Sequence, residues 1–478
     1  MRDSKLLVAA LALAVSGCSL LTTDYNDCTS NQECGTRFGP AYICNSEALC
    51  EASQPVARCS KTWPPSLFQD ADDRIIFGSL IDNSVEAQVG RENAVQLAME
   101  QIDDEGGAFG RRFGIVFCNI ESNFEGDGLG RTEAAVASAT YLATVLQVPA
   151  IIGPAASSDA QEVFLSIRNT ETLVISPSAT STSLSDLDPL DVSDESPGLL
   201  WRTAPPDSLQ GQAIAADMRE PGAGRSSVVN SVAAIYEAGA YGQGLVNVFS
   251  SSFQGAGGSV ALFPFESPGQ LATRITEVGI GTHDEVLFIS SQSSDAVNFF
   301  NAVATAPAYD DLEIFVTDGA ANEADVLSVA NPNRFPQVRG SRPAPLDESV
   351  DFVYATFLAA YSGAFGVDAK SLSFSANAYD AAWLIALGAA WVLAQEEQEL
   401  SGPAIAQGLR QLSSGAEFDL IPTSWNAMLQ AFASGAPVNV NGASGRLDYD
   451  PVTEETTTPI EIWTISGTSV ERIDLWEP

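Results

Sequence analysis

Short runs of apolar residues alternate along this chain with longer segments in which apolar residues recur every three or four positions. The clearest case has the runs 150–152 and 173–175 on either side of a segment with Val163, Phe164 and Ile167 on one helical face. Short continuous apolar runs that flank a helix are typical of buried parallel strands. This stretch therefore predicts a strand–helix–strand unit.

The same alternation extends over most of the chain and falls into two blocks. Further strands are predicted at residues 75–78, 113–117, 228–235, 260–263, 286–289 and 314–316. Further helices are predicted directly after Tyr241-Gly242 and at residues 85–105, 134–146, 270–278 and 295–303. Regular alternation of strands and helices predicts an α/β fold, and its division into two blocks predicts two doubly wound, Rossmann-like lobes.

The C-terminal part of the chain has a different pattern. A segment rich in Pro and Arg, 331–345, predicts a break between the second block and a mainly helical tail. Within the tail, the apolar segment 377–394 is marginal in length for a membrane span and contains Asp380, which favours a buried helix. Residues 460–465 and 470–475 predict a β-hairpin.

Hydroxyl-rich loops follow both strands of the first unit. One loop contains Ser157 and the other contains Ser178 and Thr180, each at or near the start of a helix. Open α/β sheets bind ligands at the carboxyl ends of their strands, and free N–H groups there attract anions such as carboxylates. In the second block Asp318 follows strand 314–316, where it could pair with an ammonium group. Helix capping by Ser and an ordinary Asp-Gly turn explain the same residues without a ligand, so both interpretations stay open.

Length and charge limit the classes of function. A chain of 478 residues is too long for a single core and implies at least two domains. Its 22 Lys and Arg residues against 61 Asp and Glu residues give a formal net charge of −39. This balance argues against nucleic acid as a partner, since phosphate binding requires a basic surface, and against electrostatic docking on an anionic membrane.

The N-terminus predicts export. Arg2 and Lys5 precede the apolar run 6–15, which is too short to span a membrane as a mature helix and is typical of a secretory signal. The small residues before Cys18 resemble the lipobox of bacterial lipoproteins, which implies a signal peptide over residues 1–17 and lipidation of Cys18. By the sorting rule of that family, Ser19 favours the outer membrane, facing the periplasm, with the inner membrane as the alternative.

The remaining cysteines predict disulfides. Five of the six lie within residues 28–59, among polar residues that could not form a core, and exported segments of this kind depend on disulfides. We predict two bridges among the first four and one between Cys59 and Cys118; the candidates are Cys28, Cys34, Cys44, Cys50, Cys59 and Cys118. The spacing lacks paired C-x-x-C units, so a zinc site is not expected. Residues 51–73 are predicted to be a linker.

Motifs of catalysis are missing from the sequence. The single histidine, His283, stands in a predicted surface turn, and the chain lacks a nucleophile elbow, an H-E-x-x-H motif, a P-loop and a dinucleotide fingerprint. We therefore expect a protein without enzymatic activity, cofactor or metal.

A series of short motifs occurs in a characteristic order. They are Phe77-Gly78-Ser79-Leu80, Asn93-Ala94, Ile102-Asp103, Gly106-Gly107, Ile151-Ile152-Gly153-Pro154, Ser157-Ser158, Ile175-Ser176-Pro177-Ser178-Ala179-Thr180, Arg202-Thr203-Ala204-Pro205-Pro206-Asp207, Tyr241-Gly242-Gln243-Gly244 and Ala378-Tyr379-Asp380-Ala381. From about residue 74 to the C-terminus, the chain resembles the type I periplasmic binding proteins, in particular the leucine/isoleucine/valine-binding branch of ABC-transporter receptors.

The resemblance implies a set of ligand-binding residues. Ser157, Thr180 and the backbone of Ser178 would hold a carboxylate and share in holding an ammonium group, which Asp318 would also bind, and Tyr241 would line the cleft. Gln292 is a further candidate, in a loop where amino-acid binders often carry Tyr. The family's aromatic residue in the first βα loop is replaced by Val89 or absent, and Asp318 is one methylene shorter than the family's Glu. These departures leave the identity of the ligand open.

The resemblance also implies two lobes with three hinge crossings near residues 202–206, 336–342 and 443–448. The expected division is residues 1–17 signal peptide, 18–73 lipidated Cys-rich segment and linker, 74–203 and 342–445 first lobe, and 204–341 and 446–478 second lobe.

The function implied is that of an extracytoplasmic receptor that closes around an amino acid or related small molecule and delivers it to an ABC permease. The alternative is a sensory or structural envelope lipoprotein on the same fold that is not coupled to transport.

Overall fold

Two separate β-sheets carry most of the buried apolar side chains, and helices cover both faces of each sheet. The computed structural model describes residues 27–38, 42–52, 57–68, 74–188, 192–220, 225, 227–395 and 398–478. The predicted signal segment and Cys18 lie outside the described residues.

The strands have the following bounds: β1 Tyr42–Cys44, β2 Cys50–Ala52, β3 Lys61–Trp63, β4 Ile75–Ile81, β5 Phe113–Asn119, β6 Ala150–Ile152, β7 Leu173–Ser176, β8 Leu200–Arg202, β9 Ser231–Glu237, β10 Ser259–Phe265, β11 Glu285–Ile289, β12 Glu313–Val316, β13 Val338–Pro343, β14 Ala416–Asp419, β15 Val438–Gly442, β16 Gly445–Arg446, β17 Ile460–Ser466 and β18 Ser469–Trp476. The α-helices are α1 Asn31–Phe38, α2 Glu86–Asp104, α3 Arg131–Thr140, α4 Ser157–Ile167, α5 Asp207–Arg219, α6 Ala240–Gly255, α7 Pro268–Val278, α8 Ser293–Val303, α9 Phe352–Phe365, α10 Ser375–Leu393, α11 Gly402–Leu409 and α12 Trp425–Ala433.

The first lobe is built on a six-stranded sheet of order β3-β5-β4-β6-β7-β8. All its pairs are parallel except that of the edge strand β3. Successive side chains point to opposite faces, so that Phe77 and Ile152 pack under α2 and α10, while Leu80 and Ile151 pack under α3 and α4. Burial on both faces explains why these strands appear in the sequence as continuous apolar runs.

The second lobe is built on a seven-stranded sheet of order β10-β9-β11-β12-β13-β17-β18. Its first five strands are parallel, and the C-terminal hairpin of β17 and β18 adds two antiparallel strands. The two doubly wound lobes predicted from the alternation of strands and helices are thereby confirmed, as is the hairpin.

Two segments differ from the sequence predictions. The Pro/Arg-rich segment 331–345 was predicted to be a break, but it contains β13, which pairs with both β12 and β17. Residues 51–73 were predicted to be a linker, but residues 61–63 form β3 at the edge of the first sheet. Both strands depend on partners far away in sequence, which local composition does not reveal.

The chain passes between the lobes after β8, after β13 and before β17. The second and third passages are joined by a hydrogen bond of 2.8 Å from the backbone N–H of Ala344 to the carbonyl of Pro459. Residues that precede Pro459 still contact the first lobe: the Tyr449 hydroxyl donates to the Arg202 carbonyl at 3.0 Å, and Glu454 pairs with Arg410 at 2.6 Å. The third passage thus lies beyond residues 443–448, where the crossing was expected.

Three disulfides tie the N-terminal segment to itself and to the first lobe. Cys28 pairs with Cys44 and Cys34 with Cys50 around the hairpin of β1 and β2, and the predicted bridge between Cys59 and Cys118 is present. The sulfurs of Cys28, Cys34 and Cys50 lie close together, but as disulfide sulfurs they do not offer thiolates to a metal.

Within the described residues, α10 is the one helix long and apolar enough to cross a membrane. Trp383, Leu384 and Ile385 are completely buried in the core of the first lobe. The predicted buried helix is therefore confirmed.

Buried carboxylates make the stability of this fold depend on pH. Burial raises the pKa of Asp380 to about 6 from 3.8, despite hydrogen bonds from Ser444 and Ala443, and it likewise raises the pKa of Asp188 to about 6. Because the folded state then holds protons that the unfolded chain has released, the free energy of unfolding falls as pH rises from about 4 through about 6.

We expect the free energy of unfolding to be higher at pH 5 than at pH 7.5 by about 1.4 kcal/mol for each of the two carboxylates, since about one pH unit of each shift lies above pH 5. Urea denaturation at the two pH values measures the difference. An Asp380→Asn variant lacks one of the titrating groups and should show a smaller difference than the parent protein. Equal stability at both pH values would contradict the raised pKa values of these buried carboxylates.

Candidate functional site

A cavity of about 480 Å³ lies between the two lobes. The loops that follow β4, β6 and β7 of the first lobe line one side, and the loops that follow β11 and β12 of the second lobe line the other. These loops emerge at the carboxyl ends of parallel strands, the edge at which open α/β sheets hold ligands.

Most of the predicted binding residues reach this cavity. Ser157, Ser178, Tyr241, Gln292 and Asp318 all line it. Thr180 does not lie among the lining residues; it is almost completely buried, and its hydroxyl has no hydrogen-bond partner among the described residues. The structure therefore brings together five of the six predicted side chains.

The wall formed by the first lobe is suited to a carboxylate. Ser157 is the first residue of α4, so its surroundings include the free N–H groups of a helix start, and its hydroxyl accepts a hydrogen bond of 3.2 Å from the backbone of Ser181. The Ser178 hydroxyl donates to the Ala155 carbonyl at 3.0 Å and accepts from the guanidinium of Arg91 at 3.2 Å. Hydroxyls, helix N–H groups and a cation thus meet on one side of the cavity.

Arg91 was missed in the sequence analysis. It lies on α2 with only 8% of its surface exposed, its Nε donates to the Ser373 carbonyl at 2.9 Å, and its guanidinium lies 5.4 Å from the ring centroid of Phe374. Burial lowers the pKa of Arg91 to about 10, and the charges of Asp318 and Asp325 oppose this shift. Its spacing from the buried Ala94 and Ala98 places it on the core-facing side of the helix, and a charge at such a position is the signal that could have found it.

The opposite wall is acidic. Asp318, at the end of β12, accepts hydrogen bonds from the Tyr241 hydroxyl at 2.5 Å and from the side-chain amide of Gln210 at 3.1 Å. Burial raises the pKa of Asp318, and the hydrogen bonds from Tyr241 and Gln210 and the charge of Arg91 counteract this rise. The carboxylate is thus fixed in place by neutral donors.

A second carboxylate lies behind Asp318. Asp207, the first residue of α5, is completely buried, and its side-chain oxygens have no hydrogen-bond partner among the described residues. Burial and the charge of Asp318 raise the pKa of Asp207 well above its usual range. The negative charge at this end of the cavity is therefore concentrated on Asp318.

The two lobes touch across the cavity. Arg131 of the first lobe donates a hydrogen bond to Gln292 of the second, and the backbone N–H of Ala87 donates to Asp325 at 3.3 Å. Outside the cavity, the N–H of Ala240 donates to the Ser158 hydroxyl at 3.0 Å and the Ser181 hydroxyl donates to the carbonyl of Ala240 at 2.6 Å. The lobes are therefore in a closed arrangement.

A second cavity of about 440 Å³ adjoins the first, beside the segment of chain that follows β13. It shares Asp318, Ser373 and Phe374 with the first cavity, and its lining combines the apolar side chains of Leu346 and Leu372 with charged side chains.

The sequence profile described as "Receptor family ligand binding region" matches residues 90–468. No curated protein sequence matches the chain.

Solved structures of several binding proteins are similar to this fold. The substrate-binding protein LivJ of Streptococcus pneumoniae, in complex with isoleucine, has 20% identity and a TM-score of 0.64, with 84% of this chain and 99% of that one covered. The leucine-binding protein LivK of Thermotoga maritima has 16% identity and a TM-score of 0.63, with coverages of 84% and 98%. An R. palustris solute-binding protein, in complex with 4-hydroxybenzoate, has 15% identity and a TM-score of 0.62, with coverages of 85% and 97%.

Proposed function

The chain belongs to the receptor ligand-binding family, whose profile spans most of its length, and on this premise we propose that it is a solute-binding protein for a small zwitterion of the amino-acid type. One observation carries the proposal: opposite charges face each other across the cavity between the lobes. Arg91, Ser157 and Ser178 suit a carboxylate on one wall, and Asp318 suits an ammonium group on the other. The backbone that every α-amino acid shares would thus be held at both ends.

An amino acid fits these walls better than an aromatic carboxylate does. The similar structures include one with isoleucine and one with 4-hydroxybenzoate. A benzoate would use Arg91 but would leave Asp318 without a cation in a site that closure shields from water, and an unpaired buried charge is costly. The zwitterion pairs both charges. Binding without catalysis is sufficient for this role.

We propose that the protein delivers its bound solute to a transporter. Two of the similar proteins, LivJ and the R. palustris protein, are substrate-binding or solute-binding proteins of transporters, which supports an ABC permease as the partner and a location outside the cytoplasm. A lipid anchor on Cys18 would hold the protein at the membrane. If Ser19 retains it in the outer membrane, the alternative of a sensory or structural envelope lipoprotein gains support, since an importer must be reached at the inner membrane.

A thermal-shift panel tests the binding function. We expect at least one α-amino acid to raise the melting temperature by about 5 °C at 100 times its Kd, since ligand binding to the folded state alone contributes about 2.7 kcal/mol. Carboxylates without an ammonium group, such as benzoate, and amines without a carboxylate should give smaller shifts.

Two variants test whether the ligand-induced thermal shift arises at this cavity. Arg91→Gln should reduce the shift because it removes the cation of the carboxylate wall, whereas Arg168→Gln changes an exposed arginine at the end of α4 and should retain the shift. Equal shifts with benzoate and with amino acids would contradict the proposal.

A further inference from the structure

We infer that the bound zwitterion carries a second positive charge on its side chain, as the diamino and guanidino amino acids do; this inference rests on the function proposed above. The argument concerns the part of the cavity that lies beyond the carboxylate and ammonium positions. This part is formed by the loop between β4 and α2 and by the loops after β11 and β12, and we call it the side-chain end.

The side-chain end is polar. Val85 and Ala87 make small apolar contributions. The rest of its lining consists of carboxylate, hydroxyl and amide side chains, namely Asp82, Ser84, Gln88, Ser293, Asn322 and Asp325. An apolar ligand side chain would separate these groups from water without offering them hydrogen bonds, which is unfavourable. This end of the cavity therefore does not suit a branched-chain aliphatic group.

The charges that line the whole cavity do not balance. The ionisable side chains are three carboxylates, Asp82, Asp318 and Asp325, and two cations, Arg91 and Arg131. Arg131 already pairs with the buried Asp159 at 2.7 Å. None of the ion pairs among the described residues includes any of the three lining carboxylates. A neutral zwitterion would leave this excess of negative charge in place, whereas a ligand with net charge +1 would reduce it.

Asp325 is the carboxylate best placed to receive the second cation. Its Oδ2 accepts hydrogen bonds only from neutral donors: the Ala87 backbone at 3.3 Å, the Ser293 hydroxyl at 3.4 Å and the Asn322 amide at 2.5 Å. These contacts hold the carboxylate against the first lobe at the closed boundary of the cavity.

Asp82 lies at the start of the loop between β4 and α2, and Ala87 lies in the first turn of α2. Asp82 is 5% exposed and accepts hydrogen bonds from the hydroxyl of Ser84 at 2.5 Å and from its N–H at 3.0 Å. Two carboxylates that form no direct ion pair with a described residue thus border the side-chain end, and an ammonium or guanidinium group there would form charge-assisted hydrogen bonds with them.

Calorimetric titration with L-lysine and L-norleucine tests this inference, because the two ligands share their backbone and a four-carbon side chain, to which lysine adds the terminal ammonium group. We expect lysine to bind at least about tenfold more tightly. Asp325→Asn keeps the acceptor for Ala87 but removes the charge, so it should lower the lysine-to-norleucine preference by about tenfold. Asp82→Asn should lower it in the same direction, and the exposed Asp311→Asn should not change it.

The outcomes separate this inference from the proposed function. If norleucine or leucine binds as tightly as lysine or more tightly, the protein binds zwitterions but the second charge is not recognised, and the second cavity, beside Leu346 and Leu372, becomes the side-chain position. If lysine is preferred but neither Asp325→Asn nor Asp82→Asn reduces the preference, the second charge is recognised elsewhere, and the assignment to these two carboxylates is wrong. If no amino acid binds, the zwitterion function itself fails, and this inference fails with it.

Discussion

An Asp318→Asn variant is expected to bind its amino-acid ligand about 100-fold more weakly than the parent protein. The ligand's ammonium group would lose its charged partner inside a closed cavity, and the removal of one member of a buried, hydrogen-bonded charge pair costs about 2–5 kcal/mol. Isothermal titration calorimetry with the best ligand from the panel measures this loss directly.

The substitution is chosen to preserve the surroundings of residue 318. The Asn side-chain oxygen can still accept hydrogen bonds from Tyr241 and Gln210, which contact one carboxylate oxygen in the parent protein. Because burial raises the pKa of Asp318, the neutral amide should leave the unliganded protein at least as stable. The exposed Asp311→Asn is the matched control. An Asp318→Asn variant with parental affinity would remove the ammonium position from the site.

An Asp380→Ala variant should lose about 3–5 kcal/mol of folding free energy. The completely buried carboxylate accepts three hydrogen bonds from the turn between β15 and β16: from the N–H of Ala443 at 2.8 Å, from the N–H of Ser444 at 2.7 Å and from its hydroxyl at 2.5 Å. Alanine would leave these donors buried without acceptors, each at a cost of about 1–3 kcal/mol. Urea denaturation at neutral pH measures the change.

A helix cap on the neighbouring helix provides the comparison. Asp351 is the N-cap of α9 and accepts a hydrogen bond from the N–H of Tyr354 at 2.8 Å, but it is partly exposed. Asp351→Ala should therefore cost only about 1 kcal/mol. If Asp380→Ala cost no more than Asp351→Ala, the buried carboxylate would not be the main link between α10 and the turn.

The parts of the fold that could be predicted from the sequence are those that produce a pattern of apolar residues over a short stretch of chain. The strands of both parallel sheets are buried on two faces and therefore appear as continuous apolar runs, and their helices show a three-to-four residue spacing. Five of the six predicted binding side chains reached the cavity, because the loop after a parallel strand has a fixed position at the sheet edge.

The features that the sequence did not predict depend on pairs of distant residues. β13 carries Arg339 and Arg342 in a strand interior, which is tolerated because Arg339 pairs with Asp217 and Arg342 with Glu461. Nothing near residues 331–345 reveals these partners. Similarly, the site of Arg91 becomes clear only once the loop of Ser373 and Phe374 is brought against α2.

The hydrogen bonds from Ala240 to Ser158 and from Ser181 to Ala240 join the lobes without lining the cavity. They add the same free energy to the closed form whichever solute is inside, so they slow release of every solute by the same factor and also slow entry by holding the empty lobes shut. How long a captured molecule stays is thus set partly by residues that never touch it. Weakening these contacts would produce a receptor with faster exchange and an unchanged order of preference among its ligands.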